Sequence, residues 1–326
     1  MDSRSPALGS LAQLGDFPNL AAARAYTERR LTELRERLAG FERDEDAAVV
    51  MLGSWGRREL TSQSDDDFLV LVDGRERGGV LPRLPELKGV LGVGGQTGTF
   101  GTTAFCDNLV GRIGLDQDDN ANLTRRMLLM LESVPVAGEE PYRACWERVL
   151  DAYLVDSIRD RHPPRFFLND LIRYWRTIGV DFVGKERGEP EKWGLRTAKL
   201  RTGRKLLYAS GLLPSLLCGE LQRSEMRDFL IDQFGAPPTD RVAFAFLHAG
   251  ATDAGLRTLG AYDRWVGMLD DPAVREELGR LTREETTGSD VFQEIRRLAA
   301  DVEQGLLALL FDTVPLRGLM REYAIF

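Results

Sequence analysis

Apolar and polar positions change their period twice along this chain. Between residues 18 and 45, Leu20, Ala23, Tyr26, Leu31, Leu34, Leu38 and Phe41 recur at helical spacing with Arg and Glu between them. That spacing predicts an amphipathic helix. The pattern then contracts to a short apolar run, Val49 to Leu52, which predicts a buried strand. Gly53-Ser54 marks a turn, and the charged segment Gly56 to Leu60 predicts the first turns of a helix. A second run, Phe68 to Val72, predicts another buried strand, entered through Asp65-Asp66-Asp67. Asp73-Gly74 opens a polar turn, and Leu81 to Leu91 predicts a short helix. The glycine-rich stretch Gly92 to Thr102 lacks the Lys-Ser/Thr ending of a phosphate-binding loop, so it reads as a connection into a third strand, Thr102 to Cys106.

Beyond that strand the period is helical almost throughout. Asn120 to Ser133 and Pro141 to Arg159 predict two helices. Phe166 to Val183 and Leu195 to Ser210 predict two more around a charged turn containing Pro190, and Val291 to Leu310 predicts a long amphipathic helix near the end. The segment VPVAGEEP interrupts the pattern near Gly138. The expected class is therefore α+β: a small mixed sheet with flanking helices in residues 1–138, then an all-helical domain in residues 139–326.

A chain of 326 residues is long enough for two such cores. No apolar stretch approaches the ~20 residues of a membrane span, so no membrane partner is expected. The N-terminal residues lack the basic-then-apolar order of a secretory signal, and Cys106, Cys145 and Cys218 are widely spaced and odd in number. Both features lead to the expectation of a cytoplasmic protein with reduced thiols. The net charge of -8 argues against a protein that coats nucleic acid by bulk electrostatics.

Candidate chemistry concentrates in GSWGRRELTSQSDDDF. Alternate side chains of a strand share a face, so Asp65 and Asp67 are expected to point together and Asp66 away from them. Two carboxylates beside a glycine turn suit a divalent-metal site for nucleoside triphosphates. This stretch resembles the signature of the polymerase-beta-like nucleotidyltransferase superfamily: Gly-Ser, a spacer, then Asp-x-Asp. Its extended form, with Gly56-Arg57 and Glu59 inside the spacer, looks most like the protein-PII uridylyltransferase branch. The resemblance covers residues 48–73.

The resemblance implies Mg²⁺-dependent transfer of a nucleoside monophosphate from a nucleoside triphosphate to an acceptor hydroxyl, with release of pyrophosphate. Two magnesium ions about 3.5–4 Å apart are expected. Asp65 and Asp67 would be their ligands, with a third carboxylate from a neighbouring strand. Asp107, at the end of the third strand, is the candidate for that role, and capping a helix that begins at Asn108 is its alternative. Asp116, Asp118 and Asp119 read as helix-start or solvated residues. Gly53, Ser54 and the amides that follow would hold phosphates. Arg57 would reach a phosphate or brace the turn by pairing with Glu59. In the helical half, Arg173, Lys199 and Lys205 belong to the densest basic cluster and are the candidates for gripping a triphosphate. The aromatic residues among them, Phe166, Phe167, Tyr174, Trp175 and Trp193, read as core. The expected acceptor is a protein side chain or a small molecule, with RNA ranked last. The alternatives are a tRNA-directed nucleotidyltransferase toxin and a degenerate nucleotide-sensing module.

Overall fold

The computed structural model describes residues 6–40, 44–77, 84–91, 100–155, 159–188, 190–314 and 316–324. The chain opens with α1 (Ser10–Leu14) and α2 (Pro18–Leu38). The sheet region follows as β1 (Ala47–Leu52), α3 (Ser54–Arg57), β2 (Phe68–Val72), α4 (Leu84–Leu91), β3 (Thr103–Phe105), α5 (Cys106–Gly111), α6 (Asn120–Leu131), β4 (Ser133–Ala137) and α7 (Glu139–Tyr153). The remainder is helical: α8 (Arg165–Gly188), α9 (Trp193–Lys199), α10 (Lys205–Leu217), α11 (Arg223–Gly235), α12 (Pro238–His248), α13 (Thr252–Asp270), α14 (Pro272–Arg280), α15 (Asp290–Asp312) and α16 (Leu316–Tyr323). No described helix is long and apolar enough to cross a membrane. Packing divides the chain into a sheet unit, residues 23–60 and 64–155, and a helical unit that takes in residues 6–22, 61–63 and 159–324.

In the sheet unit four strands lie in the order β3-β2-β1-β4. β1 is antiparallel to β2, with Ala47 opposite Val72 and Met51 opposite Phe68, and antiparallel to β4. β2 and β3 are parallel, with Val70 opposite Thr103 and Val72 opposite Phe105. Every residue of β1 and β2 is buried, because helices cover both faces. This is why the two strands read as unbroken apolar runs rather than as an alternation. On one face Val49, Met51, Phe68, Val70 and Val72 pack with Leu31, Leu34 and Leu38 of α2 and Leu87 and Leu91 of α4. α7 crosses the other face, packing on β1 and β2.

The expected boundary at Gly138 needs correcting. Ser133–Ala137, from the last residue of the predicted helix into the interrupting segment, is the edge strand β4, and α7 packs on the sheet, so the sheet unit continues past Gly138. Pro135 disguised the strand. Proline donates no ladder hydrogen bond and is tolerated on an edge, and here the register with β1 shifts between Val49 and Val50, beside Pro135. Gly138 is not a linker residue. Its φ is 75°, and a Cβ there would lie 2.4 Å from the Ala47 carbonyl oxygen. The predicted helix from Gly56 shrinks to the single turn of α3. The glycine-rich segment falls mostly on residues 92–99, outside the described residues.

Residues 6–22 join the helical unit, not the catalytic head the sequence predicted for residues 1–138. Carboxylates hold them there. Asp232 accepts from Ala7 N at 2.8 Å, and Asp240 from Gly9 N at 2.9 Å and Leu11 N at 3.3 Å. Asp263 accepts from Leu20 N and Asn19 Nδ2, each at 2.8 Å. The helical core is built around α10, whose residues from Leu206 to Leu217 are buried except Tyr208, and around α12, α13 and α15. Between α9 and α10, Leu200–Arg204 forms a π-helical turn. Gly203 in this turn lets the Trp265 ring approach, since a Cβ there would lie 2.8 Å from Cη2.

Candidate functional site

β1 leaves the sheet at Gly53, whose backbone (φ 67°, ψ -129°) is one that side chains other than glycine's rarely allow. The chain then makes the one-turn α3, and the left-handed Arg58 (φ 60°) ends it. Leu52 N donates to Asp67 O at 2.8 Å, which extends the β1–β2 ladder by one pair. Asp67 therefore points to the sheet face crossed by α7, and its Oδ2 lies 3.7 Å from the position of a Cβ on Gly53. Gly53, Ser54 and the Asp67 carboxylate are thus brought together at one end of the two central strands.

Asp66 points away, as the alternation predicts. It accepts a hydrogen bond from Trp55 Nε1 at 3.0 Å, on the side of the sheet occupied by Leu34, Met51 and Leu91. The Arg30 guanidinium sits 5.8 Å from the Trp55 ring. Asp65 precedes the ladder and is exposed, and its carboxylate makes no hydrogen bond or ion pair among the described residues. The Asp67 carboxylate, beside the Gly53 turn, is the oxygen ligand this end of the sheet offers to a hard cation, which would keep several waters and take phosphate oxygens to complete its shell. Among the described residues no group of three or more His, Cys, Asp or Glu side chains is arranged around a metal position.

Two expected members of the site are placed elsewhere. Asp107 lies at the opposite end of the sheet. Its amide donates to Gly74 O at 3.1 Å, and its carboxylate shares Arg148 with Asp73, both bonds being 2.6 Å. The parallel pairing of β2 and β3 puts the end of β3 beside the end of β2, and Asp73, which shares Arg148 with Asp107, is six residues beyond Asp67. At about 3.3 Å per residue that is roughly 20 Å from Asp67. Asp107 therefore neither completes a shared metal site nor caps a helix, since it lies inside the first turn of α5. Those two anions raise the Arg148 pKa, the Asp107 hydrogen bond contributing most.

Arg57 is a brace. Its Nε donates to Glu59 Oε2 at 3.0 Å and its Nη1 to Glu132 Oε2, and both carboxylates are buried. Gly56 permits this arrangement, because a Cβ there would lie 2.1 Å from the Glu132 carbonyl carbon. The Gly56-Arg57 and Glu59 signature thus welds α3 to the segment entering β4. Arg58 pairs with Glu28 of α2 at 2.9 Å, and Leu60 N donates to Thr27 Oγ1 at 3.0 Å.

Arg173, Lys199 and Lys205 all belong to the helical unit. Arg173 pairs with the buried Asp170 at 2.8 Å, Lys205 pairs with Glu303 at 3.0 Å, and Lys199 is half-buried on the last turn of α9. Of the neighbouring aromatics, Phe167 and Tyr174 are core, and Trp193 packs on Phe292. Trp175 stacks on Tyr208 with centroids 5.4 Å apart, whereas Phe166 is exposed. Asp119 caps α6 by accepting from Asn122 N at 2.7 Å. Asp118, read from sequence as a polar-loop residue, is instead the buried partner of Arg126, at 2.9 and 2.7 Å. Sequence reasoning also passed over Glu132, because no local pattern ties it to Arg57, and Arg125, because it falls on an ordinary amphipathic helix. No family model matches the chain, and no curated protein or solved structure matches it significantly.

Proposed function

We propose that the sheet unit is the head of a Mg²⁺-dependent nucleotidyltransferase that moves a nucleoside monophosphate from a nucleoside triphosphate to an acceptor hydroxyl. One observation carries the reading: the Asp67 carboxylate lies over the positive-φ turn at Gly53, the juxtaposition that the Gly-Ser and Asp-x-Asp resemblance requires. In the reaction the acceptor oxygen bonds to the α-phosphorus, the bond from that phosphorus to the bridging oxygen breaks, and pyrophosphate departs. A bound magnesium would lower the charge on the phosphates and acidify the attacking hydroxyl. Asp67 and Asp65 would hold the cation, and the amides following Gly53 would face the phosphates.

The displacement of Asp107 reduces the expected two-ion cage to the carboxylates of one ion. It also favours a second reading, a nucleotide-sensing module that binds without turnover. The acceptor class remains a protein side chain or a small molecule, with RNA less favoured at a net charge of -8. Calorimetric titration of each nucleoside triphosphate with Mg²⁺, on the natural sequence and on Asp67→Asn, tests the site. Loss of metal-dependent binding in the variant supports it, and unchanged binding refutes it. Pyrophosphate release with candidate acceptors separates transfer from sensing.

A further inference from the structure

Arg125 reaches from α6 to the sheet face that carries Asp67. With Val70 opposite Thr103 in the parallel β2–β3 pair, Thr102 stands beside Leu69. Residues paired across strands share a face, and so do alternate residues along one strand, so Thr102, Leu69 and Asp67 point the same way. Thr102 is then roughly 8 Å from Asp67, the diagonal of one strand spacing and two residues of rise. Arg125 Nη2 donates to Thr102 Oγ1 at 3.4 Å, a long bond. The Arg125 Nε is buried without a hydrogen-bond partner. Among the described residues no carboxylate pairs with this guanidinium.

Three other arginines of the unit are engaged. Arg57 holds two carboxylates, Arg148 holds two, and Arg126 holds Asp118, the Tyr153 hydroxyl and the Leu109 carbonyl. A buried donor left unsatisfied costs free energy that a ligand recovers when it supplies the acceptor. The flat guanidinium fork matches two oxygens of a phosphate. The guanidinium thus bonds to a residue roughly 8 Å from Asp67 on the same sheet face, within the span of a triphosphate held at that carboxylate.

We propose that Arg125 is a phosphate-binding residue of the Asp67 site, donating to a non-bridging oxygen of the triphosphate. This inference rests on the nucleotidyltransferase reading. Inorganic tripolyphosphate with Mg²⁺, and the nucleoside triphosphates with Mg²⁺, are titrated calorimetrically into the full chain and into Arg125→Gln, Arg125→Lys and Asp67→Asn. One charged hydrogen bond lost corresponds to a weakening of about 10- to 100-fold for Arg125→Gln. Arg125→Lys is expected to recover part of it, and both variants to unfold at the natural urea midpoint. If Arg125→Gln binds as the natural sequence does while Asp67→Asn does not, the Arg125 assignment fails and the nucleotidyltransferase reading stands. Weakened binding accompanied by a lowered urea midpoint and no recovery by lysine also overturns it, in favour of a structural role. No binding of any triphosphate by the natural sequence overturns both.

Discussion

Replacing Arg57 with methionine is the sharpest test of the brace. The substitution keeps a long apolar stem but strips the counter-charge from Glu59 and Glu132. Their side chains are 4% and 0% exposed, and that of Arg57 is 16% exposed. Removing one partner of a buried ion pair costs about 3–5 kcal/mol, because the remaining charge stays desolvated. A domain has only about 5–15 kcal/mol in total. With a urea dependence of about 1–3 kcal/mol/M, the sheet unit should unfold at least about 1 M earlier. Trp55, buried in the same α3 turn, and Trp146 on α7 contribute the unit's share of the tryptophan fluorescence. Adding Glu132→Gln removes one orphaned charge and should restore a substantial part of the loss, giving a coupling energy in the double-mutant cycle. If Arg57→Met unfolds at the natural midpoint yet loses triphosphate affinity, Arg57 is a ligand contact and the brace argument is wrong.

Two further outcomes follow from the same kind of accounting. Adjacent aspartates should differ: Asp118→Ala strips the counter-charge from the fully buried Arg126 and should cost about 3–5 kcal/mol. Asp119→Ala removes only the α6 cap and should cost about 1 kcal/mol, so equal urea midpoints for the two variants would contradict this placement. Burial pushes the Tyr208 phenol up to about 12, with Arg176 pulling weakly the other way. Its folded value lies above the unfolded value of about 10, so the stability it contributes is complete below pH 10 and is lost as pH rises from about 10 to 12. Ultraviolet titration of phenolate should show a late component that Tyr208→Phe abolishes; a titration unchanged by that substitution would refute the assignment.

Several parts of this protein are legible in the chain because their causes are local. β1 and β2 announce themselves as apolar runs, since burial on both faces leaves no polar alternation to dilute them. The helices α6, α7, α8 and α15 follow from the period of their apolar positions. The turn at Gly53 and the divergence of Asp66 from Asp67 follow from backbone sterics and the two-residue period of a strand.

Pairing between distant segments is where local reading stops. Nothing near Asp107 says whether its strand runs parallel or antiparallel to β2, and that choice alone moves its carboxylate from one end of the sheet to the other. Arg57 meets Glu132 across 75 positions, and Asp240 secures Gly9 across 231. Pro135 concealed an edge strand, because an edge tolerates a missing donor that an interior strand does not. Taken alone, the sequence determined β1, β2, the turn at Gly53 and the divergence of Asp66 from Asp67, since these depend on neighbouring residues and backbone sterics. Only the tertiary structure decided which carboxylates and guanidinium groups share one end of the sheet, because strand direction and register are properties of contacts between segments remote in the chain.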